Sequence, residues 1–265
     1  MIVLLAFCAF AGAGTPCTEV QAAESKELVV AAAASLREVF QGLTSIYETR
    51  HAGVKVRLNL AGSQELRVQI ENGAKVDVFA AADHRHMAAL ERQGLVETPV
   101  VFAENEPVVI VPGDNPARLA AFTDLPKAEH VVLGGPAVPI GAYSEAILAA
   151  AAKLYGPAFR ERVMGHVRSR ELNVRQVLTK VALGEADAGI VYRTDAATAK
   201  ERVKAIAIPG AVNVVASYPI AIATRAPNRE LAAAWVALVR GEEGQSVLRA
   251  AGFKVAPAPS RERAK

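Results

Sequence analysis

The stretch that decides the fold is residues 28–40, Leu28-Val29-Val30-Ala31-Ala32-Ala33-Ala34-Ser35-Leu36-Arg37-Glu38-Val39-Phe40. An unbroken apolar run ends at Ser35, and helical periodicity begins at the next residue. Leu36, Val39, Phe40, Leu43, Ile46 and Tyr47 fall on one face at spacings of three and four. Ser35 followed by Glu38 has the spacing of a capping box. The stretch therefore reads as a buried parallel strand, Glu27–Ala34, feeding a Ser-capped helix, Leu36–Arg50. Such a junction aims free backbone N–H groups and a hydroxyl at one point, which suits an anion.

Working outward, the same unit recurs. Val54–Leu60 alternates as a strand, Ala61-Gly62-Ser63 follows, and a helix runs to Asn72-Gly73. Asp77–Ala81 is a third strand and His84–Gln93 a third helix, closed by Gly94. Three strand–helix units in succession predict a parallel sheet with right-handed crossovers, whose ligands sit at the carboxyl ends of the strands. Beyond residue 105 the rhythm changes. Strands are expected at Glu106–Val111, His130–Leu133, Asp187–Tyr192, Val203–Ile208 and Val214–Ala223. Helices are expected at Ile140–Tyr155, from an Asn173 cap to Gly184, and at Arg229–Val239 and Glu243–Ala250. The plan is an α/β protein of two lobes without a flexible linker. The expected crossings between lobes are Asn105–Val109 and Ser217–Ile222. Lobe 1 then comprises 26–105 and 219–258, lobe 2 comprises 106–218, and the last helices return to lobe 1.

Residues 1–23 stand apart. Met1 to Ala13 is almost wholly apolar, and Val20-Gln21-Ala22 and Gln21-Ala22-Ala23 have the small-residue pattern of a cleavage site. This reads as a secretory signal peptide lacking a basic n-region; a retained anchor is the second reading. Both cysteines, Cys8 and Cys17, precede the cut, so the mature chain would have neither disulfide nor thiol chemistry. Cys17 as a lipidation site is the alternative, poorly served by Gly14-Thr15-Pro16. The net charge of +3 rises by one when Glu19 is removed and stays scattered, which gives no nucleic-acid footprint.

Catalysis needs converging reactive groups. The densest polar cluster, Asp83-His84-Arg85-His86, has its histidines two apart and no further ligand at metal spacing, so it reads as a solvated helix start. His51, His130 and His166 are isolated, and Asp187 opens a strand rather than pairing with Glu185. Gly-x-Ser-x-Gly, Gly-x-Gly-x-x-Gly and P-loop motifs are absent. Nothing argues for an enzyme. What recurs is helix starts at strand ends: Ser35, Ser63, the loop ending at Ile140, and Asn173-Val174. If they converge, they make a neutral cage of donors for a small, fully ionised oxyanion, with the Tyr192 hydroxyl as a further donor.

An ordered set of motifs resembles a known family. Ala32-Ala33-Ala34-Ser35-Leu36, Ala61-Gly62-Ser63, Asp77-Val78-Phe79-Ala80-Ala81-Ala82-Asp83, Val138-Pro139-Ile140-Gly141-Ala142-Tyr143, Asn173-Val174-Arg175 and Ala188-Gly189-Ile190-Val191-Tyr192 are similar to the periplasmic molybdate-binding proteins of ABC importers. The resemblance runs from about residue 27 to Phe253. It implies the two-lobed type II periplasmic-binding-protein fold, with a mixed sheet in each lobe and flanking helices. It also implies capture of molybdate or tungstate in the cleft, and delivery to a permease in the inner membrane. Carried over by motif, the ligand residues are Ser35, Ser63, Ile140, Val174 and Tyr192, with Ile140 and Val174 acting through the backbone. The family often has Ala in place of Ile140. The metal arrives as an oxyanion, so no side chain coordinates it and no cofactor is implied. A periplasmic monomer with no nucleic-acid partner is expected. A binder of sulfate or another oxyanion, an enzyme of the same fold acting on a small acid, and a regulator's sensor domain are the alternatives.

Overall fold

The computed structural model describes residues 26–255, so the expected signal peptide and both cysteines lie outside the described residues. In chain order the first sheet begins with β1 (Lys26–Ala33), a 3-10 turn at Ala34–Leu36 and α1 (Arg37–Arg50). It continues with β2 (Val54–Ala61), α2 (Ser63–Glu71), β3 (Val78–Ala80), α3 (His84–Arg92) and β4 (Val100–Asn105). The second sheet is built from β5 (Pro107–Pro112), β6 (Val131–Gly134), α4 (Pro139–Tyr155), α5 (Pro157–Gly165) and β7 (Val167–Glu171). It is completed by α6 (Val174–Ala182), β8 (Ala188–Tyr192), α7 (Arg193–Ala197) and β9 (Val203–Ala207). The chain then returns through β10 (Ala216–Ile222), α8 (Arg229–Arg240), α9 (Glu242–Ala250) and β11 (Lys254–Val255).

Each sheet is mixed. The first has the order β11-β4-β10-β3-β1-β2, with β1 parallel to β2 and β3, and β10 antiparallel to β3 and β4. The second has the order β7-β6-β8-β5-β9, with β6 parallel to β7 and β8, and β5 antiparallel to β8 and β9. This is an α/β architecture of two lobes with flanking helices. The chain passes from the first sheet to the second at Glu106, between consecutive strands, and returns in β10. β10 already pairs in the first sheet at Ala216, opposite Asn105, three residues before the expected boundary at 219.

The register explains what the strand ends present. Ala33 lies opposite Ala61, and Ala32 opposite Ala80. Three parallel strands thus finish almost level, and the residues just past them, Ser35, Ser63 and Ala82, emerge at one height. In the second sheet Gly134 at the end of β6 lies opposite Glu171 at the end of β7. This brings the starts of α4 and α6 to the edge facing the first lobe.

The cores are mainly apolar, with a few buried polar groups such as Asp77 and Asp195. Leu28, Val30, Phe40, Leu43, Tyr47 and Trp235 are buried between β1, α1 and α8, where Trp235 meets Phe40 and Tyr47 edge-on at 5.5 Å each. Phe253 is buried as well. The strand expected at Glu106–Val111 is β5, whereas β4, α5, α7, β7 and β11 lie in stretches without a strong period and are not expected from the sequence.

Candidate functional site

Between the lobes lies a small cavity. Ser35, Ser63, Ile140, Val174 and Tyr192 all line it, and every lining residue is uncharged. Four helical starts point into it, and the first N–H groups of a helix have no intrahelical acceptor. The positive ends of the helix dipoles converge there as well.

Ser35 corrects one expectation. It sits within the 3-10 turn Ala34–Leu36, not at a cap, and makes no capping hydrogen bond. Glu38 is turned away to Arg175 of the other lobe. A local pattern that satisfies a capping box has lost to a tertiary ion pair. Ser35 is freed for the cavity, and its Oγ lies 3.0 Å from the Tyr218 hydroxyl. Ser63 opens α2 behind the cap residue Gly62, whose N–H donates to Glu65 Oε2 at 3.0 Å. The Ser63 Oγ accepts the Ala82 N–H at 3.1 Å, which leaves its proton for the cavity.

On the opposite wall, Pro139 occupies the first helical position of α4. It has no N–H, so Ile140 supplies the first donor of that helix. Gly141 is required beside it: a Cβ there would stand 2.0 Å from the Gly135 carbonyl oxygen. Asn173 caps α6 by accepting from Arg175 N at 3.0 Å and Gln176 N at 3.2 Å. These are the second and third donors of the helix, and the Val174 N–H is left over at the cavity wall.

Tyr192 ends β8 with its side chain 1% exposed, and its hydroxyl has no hydrogen-bond partner among the described residues. Burial pushes its pKa well above 10, helped by the neighbouring Tyr218 and Tyr143, so the group is a permanent O–H donor. The three phenols form an edge-to-face cluster, Tyr143–Tyr192 at 6.3 Å and Tyr192–Tyr218 at 5.7 Å. A buried hydroxyl left unpaired is costly unless something fills the space before it.

The lobes are closed. His86 Nε2 donates to the Ala137 carbonyl at 2.7 Å, Gln64 Nε2 to the Leu172 carbonyl at 2.6 Å, and the Tyr143 hydroxyl to the Ala82 carbonyl at 3.3 Å. Arg175 joins Glu38 of the first lobe to the buried Asp195 of its own, with Nε 2.7 Å from Asp195 Oδ1. At Gly62 a Cβ would lie 2.4 Å from the Leu172 carbonyl oxygen, so only glycine lets the lobes meet this closely. The Asp83–His86 helix start is solvated only at His84 and Arg85, which are exposed. Asp83 is buried and caps α3 through His86 N, and His86 is buried against the other lobe. Burial lowers its pKa, opposed by Asp83, and the neutral ring must carry its proton on Nε2 to donate to Ala137. Tyr143, Tyr218 and these latching groups were missed as functional because each is defined by a partner remote in sequence. Among the described residues no cluster of three or more His, Cys, Asp or Glu is placed to hold a metal ion.

A family model described as bacterial extracellular solute-binding protein matches residues 28–254. The chain belongs to that family. Within it, the chain is 36% identical over 243 residues to the molybdate-binding protein ModA of Mycobacterium tuberculosis, covering 91% of this chain and 88% of that one. The periplasmic molybdate-binding protein of Azotobacter vinelandii superposes with a TM-score of 0.72 at 22% identity, over 87% of this chain and all of that one. The sulfate-binding protein SubI of M. tuberculosis gives 0.78 at 17% identity, over 87% of each chain. At these identities the two structural likenesses speak for the fold alone. Members of such a family capture and release a solute; the chain is a binding protein and not an enzyme.

Proposed function

We propose that the chain captures molybdate or tungstate between its lobes as the solute-binding component of an ABC importer, and passes it to a permease in the inner membrane. One observation carries the site assignment: Tyr192, whose buried hydroxyl has no hydrogen-bond partner among the described residues, lines an uncharged cavity ringed by helix N-termini. The proposed ligand set is Ser35 and Ser63 through their hydroxyls, Ile140 and Val174 through their N–H groups, and Tyr192 through its hydroxyl. The 36% identity to a molybdate-binding protein over nearly the whole chain supports the choice of anion.

The chemistry fits a dianion without protons. The cage offers donors on every side and no carboxylate to accept a proton. Hydrogen bonds to a charged partner contribute about 1.5–3 kcal/mol each. Five of them offset desolvation and lobe closure and leave binding in the roughly nanomolar to micromolar range. Sulfate makes the same pattern with a smaller tetrahedron, so a cage fixed at the molybdate size loses contacts to it. The moving bodies are taken as the two sheets with their flanking helices, turning where the chain crosses at Glu106 and before β10. Periplasmic residence as a monomer belongs to the same reading; among the described residues no helix is long and apolar enough to cross a membrane.

Isothermal titration with molybdate, tungstate, sulfate and phosphate tests this reading. Tight binding of the first two and weak binding of the others is expected. Sulfate binding as tight as molybdate would overturn it in favour of a sulfate carrier.

A further inference from the structure

We propose that Tyr218 is a positioning residue that fixes the direction of the Ser35 proton, so that Ser35 meets the anion as a donor. The proposal rests on the reading of the cavity as the oxyanion site. Tyr218 lies in β10, fully buried, behind Ser35 and outside the cavity lining. Its hydroxyl and the Ser35 Oγ are 3.0 Å apart.

Either hydroxyl of such a pair can donate, and the choice decides what the ligand meets. Ser35 has one proton and two lone pairs. If Ser35 gave its proton to Tyr218, a lone pair would face the dianion and repel it. If Tyr218 donates, the Ser35 oxygen is already filled from behind and its own O–H is turned into the cavity. A phenol is more acidic than an alkanol and is the better donor of the two, and this phenol has no exposure through which water compensates.

The other serine of the cage shows the same device without ambiguity. Behind Ser63 stands the Ala82 N–H, at 3.1 Å, which can only donate. Both serines are thus backed by a donor, one from the main chain and one from a side chain. Together with the unpartnered Tyr192 hydroxyl they give every hydroxyl proton in the cage to the ligand. Tyr218 does not touch the anion; it acts through Ser35.

A double-mutant cycle read by calorimetric titration with molybdate isolates that action. Tyr218→Phe keeps the ring that packs on Tyr192 and Phe253 at 5.7 and 5.4 Å. In the otherwise unaltered protein it is expected to weaken molybdate by about 5- to 10-fold. In a Ser35→Ala background the same change is expected to cost less than about 2-fold, and in a Ser63→Ala background the full loss should return. Thermal denaturation of each variant without ligand checks that the fold is intact. An equal loss in the Ser35→Ala and unaltered backgrounds, or no loss at all, would overturn the role of Tyr218 and leave the site standing. Unchanged molybdate affinity in Ser35→Ala alone would overturn the site reading, and the proposal with it.

Discussion

Removing the Tyr192 hydroxyl separates binding from folding with opposite signs. Tyr192→Phe keeps the ring and its edge-to-face contacts with Tyr143 and Tyr218. It deletes one oxygen that has no partner among the described residues. If that oxygen donates to a dianion, its loss removes about 1.5–3 kcal/mol of binding, or about 10- to 150-fold in the dissociation constant at 1.4 kcal/mol per decade. The same deletion relieves the closed form of an unpaired buried hydroxyl. The unliganded protein should therefore keep its melting temperature or gain slightly. Calorimetric titration with molybdate and thermal denaturation without it read the two effects. Unchanged affinity would remove Tyr192 from the site. A marked fall in unliganded stability would show that the hydroxyl serves the fold instead, and would refute the reasoning.

Three further outcomes follow from the geometry. Gly141→Ala places a methyl 2.0 Å from the Gly135 carbonyl oxygen; it should displace the start of α4 with the Ile140 donor and weaken molybdate more than tenfold, and titration showing native affinity would contradict this. Asn173→Ala removes the acceptor of the Arg175 and Gln176 N–H groups, so urea denaturation should show a loss of about 0.5–2 kcal/mol; a variant as stable as the parent would show that the cap contributes nothing. Burial raises the Asp195 pKa to about 7 against the pull of Arg175. Between the ordinary carboxylate value and about 7 the folded state then binds more protons than the unfolded one, so this contribution to stability falls as pH rises through that window. Asp195→Asn should flatten the dependence of melting temperature on pH from 5 to 8, and an unchanged slope would exclude Asp195 as its source.

How much of this was legible in the sequence follows from what each feature depends on. The level strand ends and the helix starts behind Ser35, Ser63, Ile140 and Val174 are local: an apolar run, a small or capping residue, then a 3.6-residue period. These could be read directly, and the ordered motifs joined them into one cavity. What could not be read depends on distance in the chain. Ser35 and Tyr218 are 183 positions apart, and Glu38 and Arg175 are 137 apart. No periodicity links such pairs, so Tyr218 read only as part of a crossing strand. Glu38 read as half of a capping box because the pattern was present locally; only the closed lobes supply the arginine that claims it. Half of the Asp83–His86 cluster departs from expectation for the same reason: His84 and Arg85 are solvated, as polar residues at a helix start normally are, but Asp83 and His86 are buried, His86 against the Ala137 carbonyl before α4. Weakly periodic elements such as α5 and β7 escaped because their charged residues blur both helical and strand patterns.

The most direct measurement is the crystal structure of the molybdate complex, with the molybdenum located by its anomalous scattering. The account predicts one metal peak in the interlobe cavity. Its oxygens should lie within about 2.6–3.2 Å of Ser35 Oγ, Ser63 Oγ, Tyr192 Oη, Ile140 N and Val174 N, with no cationic side chain in contact. A peak elsewhere, or an anion held by arginine or lysine, would contradict it.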